Sequence, residues 1–430
     1  MSSERRHRQQ EPQRWEPTDF RPETTTVWSF PERGSWAIHS GAYRGNWSPY
    51  VPRNLILRYT EPGDWVLDPF VGGGTTAIEA ALLGRRAIAG DLSAAAVLAT
   101  KDQLERLQQR RFPGETPALL REDARALAIT DQSMQLVLLH PPYADAIRYS
   151  ADTAGDLSHL AAGPFLAQLR HVAAESLRVL APRGRCALLI GDLRRQGHVV
   201  PLGFAAIQAC RREGLVLEDL IIKRQHHTRM EGSWSGISAQ RRFLLLAHEY
   251  LAVLRRNGDP PPASAPTGRI ADDRDVQRRR QPGDGPIETG ATTVWAVPTE
   301  RIEAALPDLA RQAFGSRNDR DSVLFARTPE TLAHEGSGST DMLPSWLHQV
   351  TRRVQPGGVL AVETRDVRTD GTLHPMGLEV CRALRQIRGL RLKEIIAVVP
   401  PEETGTRSQA ADQLAITHRY LLVATRDRSA

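Results

Sequence analysis

Cysteine is scarce in this chain of 430 residues, which has only Cys186, Cys210 and Cys381, at wide spacing. Three cysteines so placed build neither a disulfide framework nor a zinc site. We therefore expect core or half-buried thiols in a reducing compartment and no metal centre.

Long apolar stretches are missing as well, since no run of 18 or more apolar residues occurs. A helix that spans a bilayer needs about 20 such residues. The amino terminus, MSSERRHRQQEPQRW, lacks the apolar stretch of a secretion signal. These absences predict a cytoplasmic protein without membrane contact.

Lysine is nearly absent, with three lysines among the 56 basic residues. The formal net charge of +6 suits a polyanionic partner such as nucleic acid. Because an arginine excess is also typical of a GC-rich genome, the charge alone does not decide the partner.

Two polar stretches divide the chain. Residues 1–23 are rich in Arg, Gln and Pro and predict a disordered tail. Residues 255–290 contain DPPPASAPTG and RDVQRRRQPGDG, a mixture of proline, glycine and charge that is typical of a linker. The sequence therefore predicts two folded units, residues 24–254 and residues 291–430.

Strand and helix patterns alternate in residues 24–254. WVLDPF, RRAIAGD, QLVLLH and RCALLIGD are typical of buried strands, and the stretches between them predict helices. This alternation predicts the α/β class, with a mostly parallel sheet covered on both faces. No helix pattern separates LEDLIIKR from FLLLAHEYLAVL, so we expect an antiparallel pair at one edge.

Part of this pattern recurs in residues 291–430. TTVWSFP recurs as TTVWAVP, and AHEYLAVL recurs as THRYLLVA. Six further residues recur at identical spacing: Pro182, Asp192, Arg194, Gly197, Pro201 and Gly203 are repeated as Pro356, Asp366, Arg368, Gly371, Pro375 and Gly377. The shared order of these matches predicts a partial duplication.

The strongest chemical signal is Asp68-Pro-Phe-Val-Gly-Gly-Gly-Thr-Thr76, between a predicted strand and a predicted helix. Glycines let the backbone approach a ligand closely, and the helix amino terminus offers free N–H groups to an anion. Asp91 ends the next strand, where a carboxylate can accept hydrogen bonds from both ribose hydroxyls. A glycine-rich turn can be purely structural, but together with Asp91 it favours a nucleoside-bearing cofactor.

The second signal is His140-Pro-Pro-Tyr143, at the end of the strand QLVLLH. Two prolines stiffen a turn and fix the direction of the acceptors beside them. Acceptors so placed can bind the N–H groups of a ligand, and an aromatic ring can stack on another planar ring. The alternative is an ordinary loop that follows a strand.

Both signals resemble motifs I and IV of the amino-group DNA methyltransferases, which methylate N4 of cytosine or N6 of adenine. Asn46 and Asn54, in GNWSPYVPRNLILRY, occupy the place of motif X, which precedes motifs I and IV. FPERGSW, YRGNW, VPRNLILRY, GDLSHL and AHEYL are also similar to strings in related bacterial methylases, over roughly residues 25–254. The Pro-Cys nucleophile of cytosine-C5 methyltransferases is absent.

The resemblance implies a Rossmann-like class I methyltransferase fold, with a degenerate half-repeat of the same α/β type at the carboxyl terminus. It implies S-adenosyl-L-methionine as the cofactor and DNA as the partner, with the target base flipped out of the duplex; RNA is less expected. The residues implied to bind the cofactor are Asp68, Phe70, Gly72, Gly73, Gly74, Thr75, Thr76, Asp91, Asp123, Asn46 and Asn54. The residues implied to be catalytic are His140, Pro141, Pro142 and Tyr143.

The chain departs from the family pattern at His140, where Asp, Asn or Ser is expected. A neutral imidazole offers one acceptor nitrogen and a protonated one offers none, so we expect activity to fall at acid pH. RNA guanine-N2 and protein-glutamine methyltransferases have similar Pro-Pro-Tyr motifs and are alternatives, as is a non-catalytic module that binds cofactor or DNA. No nuclease motif is visible, so a role in restriction or defence would need a partner.

The sequence indicates the residues that contact DNA less directly. Lys223–Arg242 is a basic stretch that either follows phosphates or forms a solvated hairpin, and Asp156, Ser158 and His159 either line the base pocket or cap a helix. The second unit has no glycine-rich loop, and aligning LVLLHPPY with SVLFARTP places Ala326 opposite His140 and Pro329 opposite Tyr143. We therefore expect the second unit neither to bind the cofactor nor to catalyse transfer.

Overall fold

The computed structural model describes most of both predicted units. The described residues are 15–18, 20–151, 153–226, 243–259, 287–289, 291–315, 322–329, 331–334, 339–369, 371–401 and 414–427. Most of the predicted tail, of the predicted linker and of the basic stretch Lys223–Arg242 lies outside these residues.

The first half of the molecule is built on an eight-stranded sheet. The strands of this half are β1 (Val27–Trp28), β2 (Trp65–Asp68), β3 (Arg86–Asp91), β4 (Ala118–Arg121), β5 (Met134–Leu139), β6 (Leu180–Gly191), β7 (Leu193–Arg195), β8 (His198–Val200), β9 (Leu215–Arg224) and β10 (His248–Arg256). The order across the sheet is β1-β9-β10-β6-β5-β2-β3-β4, while β7 and β8 form a separate hairpin. Strand β10 is antiparallel to β6 and β9, and all other neighbours in the sheet are parallel. This strand order, with one antiparallel strand in a parallel sheet, confirms the expected Rossmann-like class I methyltransferase fold.

Helices cover both faces of this sheet. They are α1 (Tyr50–Tyr59), α2 (Thr75–Leu82), α3 (Ala94–Gln109), α4 (Ala162–Val179) and α5 (Leu202–Arg212). Successive side chains of a strand point to opposite faces. Val137 and Leu139 of β5 accordingly pack in one core with Phe165 of α4, and Leu136 and Leu138 pack in a second core with Leu55 and Ile56 of α1.

The second half has a six-stranded sheet. Its strands are β11 (Glu288–Thr289), β12 (Val294–Ala296), β13 (Val323–Arg327), β14 (Val359–Thr364), β15 (Val367–Thr369), β16 (Thr372–His374), β17 (Leu390–Val399) and β18 (Arg419–Arg426), with β15 and β16 forming a separate hairpin. Its helices are α6 (Ile302–Phe314), α7 (Thr331–His334), α8 (Ser339–Arg352) and α9 (Met376–Gln386). The order β11-β12-β17-β18-β14-β13 repeats β1-β9-β10-β6-β5 of the first sheet after the extra strand β11. Within the described residues, the second sheet has no counterpart of β2, β3 and β4.

Strand register corrects one alignment made from the sequence. Leu139 of β5 pairs with Leu188, and Ala326 of β13 pairs with Val362. Leu188 and Val362 are equivalent because the repeated Asp192 and Asp366 each follow them by four residues. Ala326 is therefore the counterpart of Leu139, and Arg327, not Ala326, stands in the place of His140. The expected match was one residue out because apolar strands align equally well in neighbouring registers.

The two halves contact each other reciprocally. Leu245 of the first half bridges Thr292 of the second, and Thr25 of the first half bridges Ala415 of the second. Both bridges join equivalent segments, which is the pattern of a two-fold symmetric dimer formed within one chain.

Three further observations concern the described residues. None of their helices is both long enough and apolar enough for a bilayer span. They contain no group of three or more His, Cys, Asp or Glu side chains suited to a metal ion. All three cysteines are buried and free of disulfides.

Candidate active site

A cavity lies where β2, β3 and β5 end, at the carboxyl edge of the parallel strands. Open α/β sheets bind ligands at this edge, where the direction of strand order reverses. Eight of the residues predicted from the sequence line the cavity: Asn46, Asp68, Phe70, Gly72, Asp91, Asp123, His140 and Pro142. The structure therefore brings the motif that resembles the cofactor loop and the His-Pro-Pro-Tyr turn to one site.

The glycine loop is packed tightly against the segment that precedes it. Gly72 and Gly74 have φ angles of 53° and 85°, which disfavour residues with a Cβ atom. Gly72 donates its N–H to Asp91 Oδ2 at 3.1 Å, and Gly73 donates to Asn46 Oδ1 at 3.2 Å. A Cβ atom at Gly73 would lie 2.5 Å from Asn46 Nδ2, so only glycine allows this approach.

Three acids on this wall have different environments. Burial raises the pKa of Asp68 to about 7, and burial also raises the pKa of Asp91. The pKa of Asp123 is instead lowered, because Arg125 binds its carboxylate with Nε at 2.9 Å and Nη2 at 2.6 Å. The wall therefore offers one firmly ionised carboxylate, Asp123, and one carboxylate, Asp68, whose charge near neutral pH depends on a ligand.

A buried glutamate holds the segment before α1 in place. Glu79 of α2 is fully buried and accepts hydrogen bonds from Trp36 Nε1 at 2.8 Å and from Arg53 Nη1 at 3.0 Å. His39 Nε2 lies 2.6 Å from the same carboxylate. These bonds explain FPERGSW and VPRNLILRY structurally, because they fix the segment that carries Asn46 beside the glycine loop.

The other predicted residues lie behind the wall or away from it. Six residues of the two motifs do not line the cavity: Gly73, Gly74, Thr75, Thr76, Pro141 and Tyr143. Asn54 is buried in α1, where its amide donates to the Tyr50 carbonyl at 2.8 Å and accepts from Glu23 N–H at 2.7 Å. Since both ends of that amide are occupied, its visible role is to join Glu23 to α1.

His140 is held between two aromatic rings. The Trp47 ring stacks on the imidazole, with centroids 5.1 Å apart and planes inclined by 16°. The Tyr143 ring meets the imidazole edge-on, and Tyr143 Oη lies 3.2 Å from His140 Nε2. Burial lowers the pKa of His140 to about 4, so the ring is neutral at physiological pH.

Two residues that the sequence did not single out support this turn from β9 and β10. Tyr143 Oη donates to Glu249 Oε1 at 2.6 Å, and Lys223 Nζ donates to Glu249 Oε2 at 2.9 Å. Burial alone would raise the pKa of Glu249, but Lys223 and the Tyr143 hydroxyl hold it at about 2. Glu249 is part of the string AHEYL, but nothing in that string indicates that its side chain contacts Tyr143.

The stretch after the turn contributes to the cavity. Asp156 both lines the cavity and caps a 3₁₀ turn, since its carboxylate accepts from Ser158 N–H at 2.8 Å. Ser158 is fully buried and its hydroxyl accepts from Tyr149 N–H at 3.0 Å, while His159 contacts the Ser150 carbonyl. Of the three residues considered from the sequence, only Asp156 lines the cavity.

Sequence comparison matches two families to parts of the first half. Residues 2–102 match a family described as DNA methylase, N6_N4_Mtase, and residues 56–170 match a family described as RMKL-like, methyltransferase domain.

Three curated relatives share short regions with this chain. A tRNA (guanine(10)-N2)-dimethyltransferase of Methanothermobacter thermautotrophicus is 34% identical over 117 residues, 27% of this chain and 32% of the relative. The Type II methyltransferase M2.DpnII of Streptococcus pneumoniae is 52% identical over 42 residues, 10% of this chain and 16% of the relative. The Type II methyltransferase M2.MboI of Moraxella bovis is 33% identical over 98 residues, 22% of this chain and 32% of the relative. The matches thus span about a third or less of the relatives' lengths.

Two solved structures are similar at low identity. A TehB-like SAM-dependent methyltransferase from Corynebacterium glutamicum is 17% identical, with a TM-score of 0.30 over 48% of this chain and 87% of that chain. TrmN from Thermus thermophilus is 22% identical, with a TM-score of 0.34 over 50% of each chain.

Proposed function

We propose that the chain is a member of the N4/N6 DNA methylase family and transfers a methyl group from S-adenosylmethionine to an exocyclic amino group in DNA, at N4 of cytosine or N6 of adenine. The observation that carries this proposal is the single cavity lined by both the glycine loop and the His140-Pro-Pro turn. Transfer between two bound molecules needs their binding residues at one site, because positioning supplies much of the acceleration.

The residues present fit the cofactor. Gly73 lets Asn46, which lines the cavity, pack within hydrogen-bond distance of the loop. Asp91 would offer a carboxylate to ribose hydroxyls, and Asp68 would offer one to a cationic amino acid group. Asp123 and Phe70, which both line the cavity, would contact the adenine end of the cofactor. When bound, S-adenosylmethionine supplies an electrophilic methyl group.

The His140 turn would hold the target amine. An exocyclic amine is a poor nucleophile because its lone pair is delocalised into the base. Hydrogen bonds from its N–H groups to His140 and to a backbone carbonyl of the turn would favour the pyramidal form, in which the lone pair is free. Tyr143, which is half-buried beside the cavity, would stack its ring on a base extruded from the duplex.

A second candidate is methylation of guanine N2 in RNA. The 34% identical tRNA (guanine(10)-N2)-dimethyltransferase and the RMKL-like family model favour it. Both reactions methylate an exocyclic amine, so the cavity described above serves either one. The substrate therefore has to be decided by experiment.

The test is mass spectrometry of nucleosides after incubation of the protein with S-adenosylmethionine and either duplex DNA or tRNA, with His140→Ala as the control. N4-methylcytosine or N6-methyladenine that is absent with His140→Ala would support the DNA proposal. N2-methylguanosine in the tRNA arm would transfer the function to the second candidate. Absence of any methylated nucleoside, with S-adenosylmethionine bound, would contradict both candidates.

A further inference from the structure

The hydrogen bonds beside His140 form a chain whose direction can be assigned. Lys223 Nζ donates to one oxygen of the Glu249 carboxylate, and the Tyr143 hydroxyl donates to the other. A hydroxyl has one proton and an ionised carboxylate has none. Tyr143 therefore uses its only proton on Glu249.

This direction fixes the proton on His140. Because Tyr143 Oη has no second proton, it can only accept at its 3.2 Å contact with His140 Nε2. Nε2 must then carry the ring proton, and Nδ1 of the neutral ring is an unprotonated acceptor. Among the residues that the structure describes, none is hydrogen-bonded to Nδ1, and His140 lines the cavity.

The second half provides an internal comparison for this chain of bonds. A buried structural set is kept in both halves: Asp192 binds Gly203 N–H and the Tyr250 hydroxyl, and Asp366 binds Gly377 N–H and the Tyr420 hydroxyl. The overall strand pairing is also kept. Residues that serve only the fold are therefore retained after the duplication.

The residues of the bond chain are not retained in the second half. Strand register places Arg327 where His140 stands, Val398 where Lys223 stands and Arg419 where Glu249 stands. Both arginines bind the buried Glu363, Arg327 through Nε and Arg419 through Nη1, each at 2.6 Å. Loss of Lys223 and Glu249 together with the histidine indicates that they serve the histidine and not the sheet.

We propose that Glu249, held by Lys223, is a positioning residue for His140: through the Tyr143 hydroxyl it keeps the ring proton on Nε2, so that Nδ1 can accept a hydrogen bond from the amine that is methylated. Stacking on Trp47 fixes the plane of the ring in which this lone pair lies. The use of Nδ1 in catalysis rests on the proposed function, whereas the place of the proton does not.

The substitution Glu249→Gln tests the direction of the chain. Lys223 would keep the amide oxygen, so the amide NH₂ group would face Tyr143 Oη. The hydroxyl would then turn and donate to His140 Nε2, and the ring proton would move to Nδ1. Glu249→Gln therefore turns Nδ1 from an acceptor into a donor, while Lys223, Tyr143 and His140 are all kept.

Nitrogen-15 NMR of ring-labelled histidine in the full-length protein at pH 7.5 measures this directly, with the His140→Asn spectrum identifying the His140 signals. We expect the wild type to show a protonated Nε2 and an unprotonated Nδ1, and Glu249→Gln to show the reverse. The control Glu218→Gln also removes a buried carboxylate, the partner of Arg185, and should leave the His140 signals unchanged. An Nδ1-protonated wild type, or identical spectra for Glu249→Gln and the wild type, would overturn the proposal.

Two further measurements complete the test. If Glu249→Gln does not fold, Tyr143→Phe removes the acceptor of the Nε2 proton and should give a mixture of tautomers. Where methyl transfer is observed, Glu249→Gln should lower the single-turnover rate at least tenfold, with cofactor affinity unchanged within twofold. A normal single-turnover rate in Glu249→Gln, together with a reversed tautomer, would overturn the role of Nδ1. A wild type that methylates no nucleic acid would contradict the proposed function, and the NMR result would still decide the position of the proton.

Discussion

Arg194 and Arg368 are equivalent residues of the two halves, and each crosses the interface to bind an acid buried in the other half. Arg194 Nη2 contacts Glu394 Oε2 at 2.5 Å, and Arg368 contacts Asp219. Glu394 and Asp219 are equivalent as well, since each lies beside the bulge where β17 or β9 pairs with its antiparallel neighbour. The interface is therefore self-complementary, like that of an isologous dimer, although both copies are in one chain.

Loss of one of these arginines should destabilise the whole protein. Arg368→Met leaves Asp219 buried without its cationic partner, and such a loss costs about 3 kcal/mol of the free energy of unfolding. The double variant Arg368→Met/Asp219→Asn should recover most of that stability because both charges of the pair are then removed. Urea unfolding followed by circular dichroism measures both.

Arg195→Met is the control, because Arg195 is half exposed and its partner Asp145 is 40% exposed. Pairs of that kind contribute about 0.2–1 kcal/mol. A double variant no more stable than Arg368→Met alone would show that the buried pair does not carry the interface.

The first sheet could be predicted from the sequence where strands are apolar over several residues. Strand β5, with four fully buried residues from Leu136 to Leu139, is the clearest case. Strand β4 was missed because Ala118–Arg121 is short, lies at the sheet edge and is at most half-buried, so it shows no buried pattern.

The candidate site was predictable only where its residues are adjacent in the chain. The glycine loop and the His140 turn are local motifs, and both reach the cavity. Glu249 lies 106 residues after Tyr143, and only the antiparallel insertion of β10 between β6 and β9 brings it to the turn. Asn54 stands at a motif position, but its amide is hydrogen-bonded within the fold and does not reach the cavity. Spacing in the sequence cannot distinguish these two roles.

Cofactor affinity should depend on pH through Asp68. Its pKa of about 7 means that Asp68 is protonated in part of the free protein, whereas a cationic ligand favours the ionised form. Affinity for S-adenosylmethionine should therefore rise as pH increases, by up to about tenfold per unit below pH 7, and level off above it. Isothermal titration calorimetry from pH 5.5 to 8.5 measures the profile; Asp68→Asn should flatten it, and an equally steep profile in that variant would assign the dependence to another group.

A side chain at Gly73 should weaken cofactor binding without unfolding the protein, because it would displace residues that line the cavity. The Cβ atom of Gly73→Ala would displace Asn46 and the Tyr43 side chain, 2.5 and 2.7 Å away. We expect the dissociation constant for S-adenosylmethionine to rise at least tenfold, about 1.4 kcal/mol. Gly163→Ala is the matched control, since a Cβ atom at Gly163 in α4 meets nothing within 4 Å. Equal affinities in both variants would show that the packing of Asn46 and Tyr43 on Gly73 does not shape the cofactor site.

Methyl transfer should be lost only at a pH far below the usual pKa of histidine, about 6.5. The sequence alone predicts loss of activity as His140 is protonated, and burial lowers the pKa of this ring to about 4. The ring of the folded protein therefore stays neutral, and Nδ1 stays an acceptor, until the pH approaches that value. At saturating cofactor, which removes the effect of Asp68 on binding, the single-turnover rate should stay flat from pH 8 to about 5.5 and fall by half only near pH 4.

His140→Asn separates this titration from general acid unfolding. An amide oxygen is also an acceptor but does not titrate, so the variant should retain a measurable rate and lose the acid limb attributed to His140. Circular dichroism at each pH identifies the range in which both proteins are folded. A half-loss of wild-type activity at pH 6 to 7 within that range would mean that water reaches the ring, and that Trp47 and Tyr143 do not shield it as their contacts indicate.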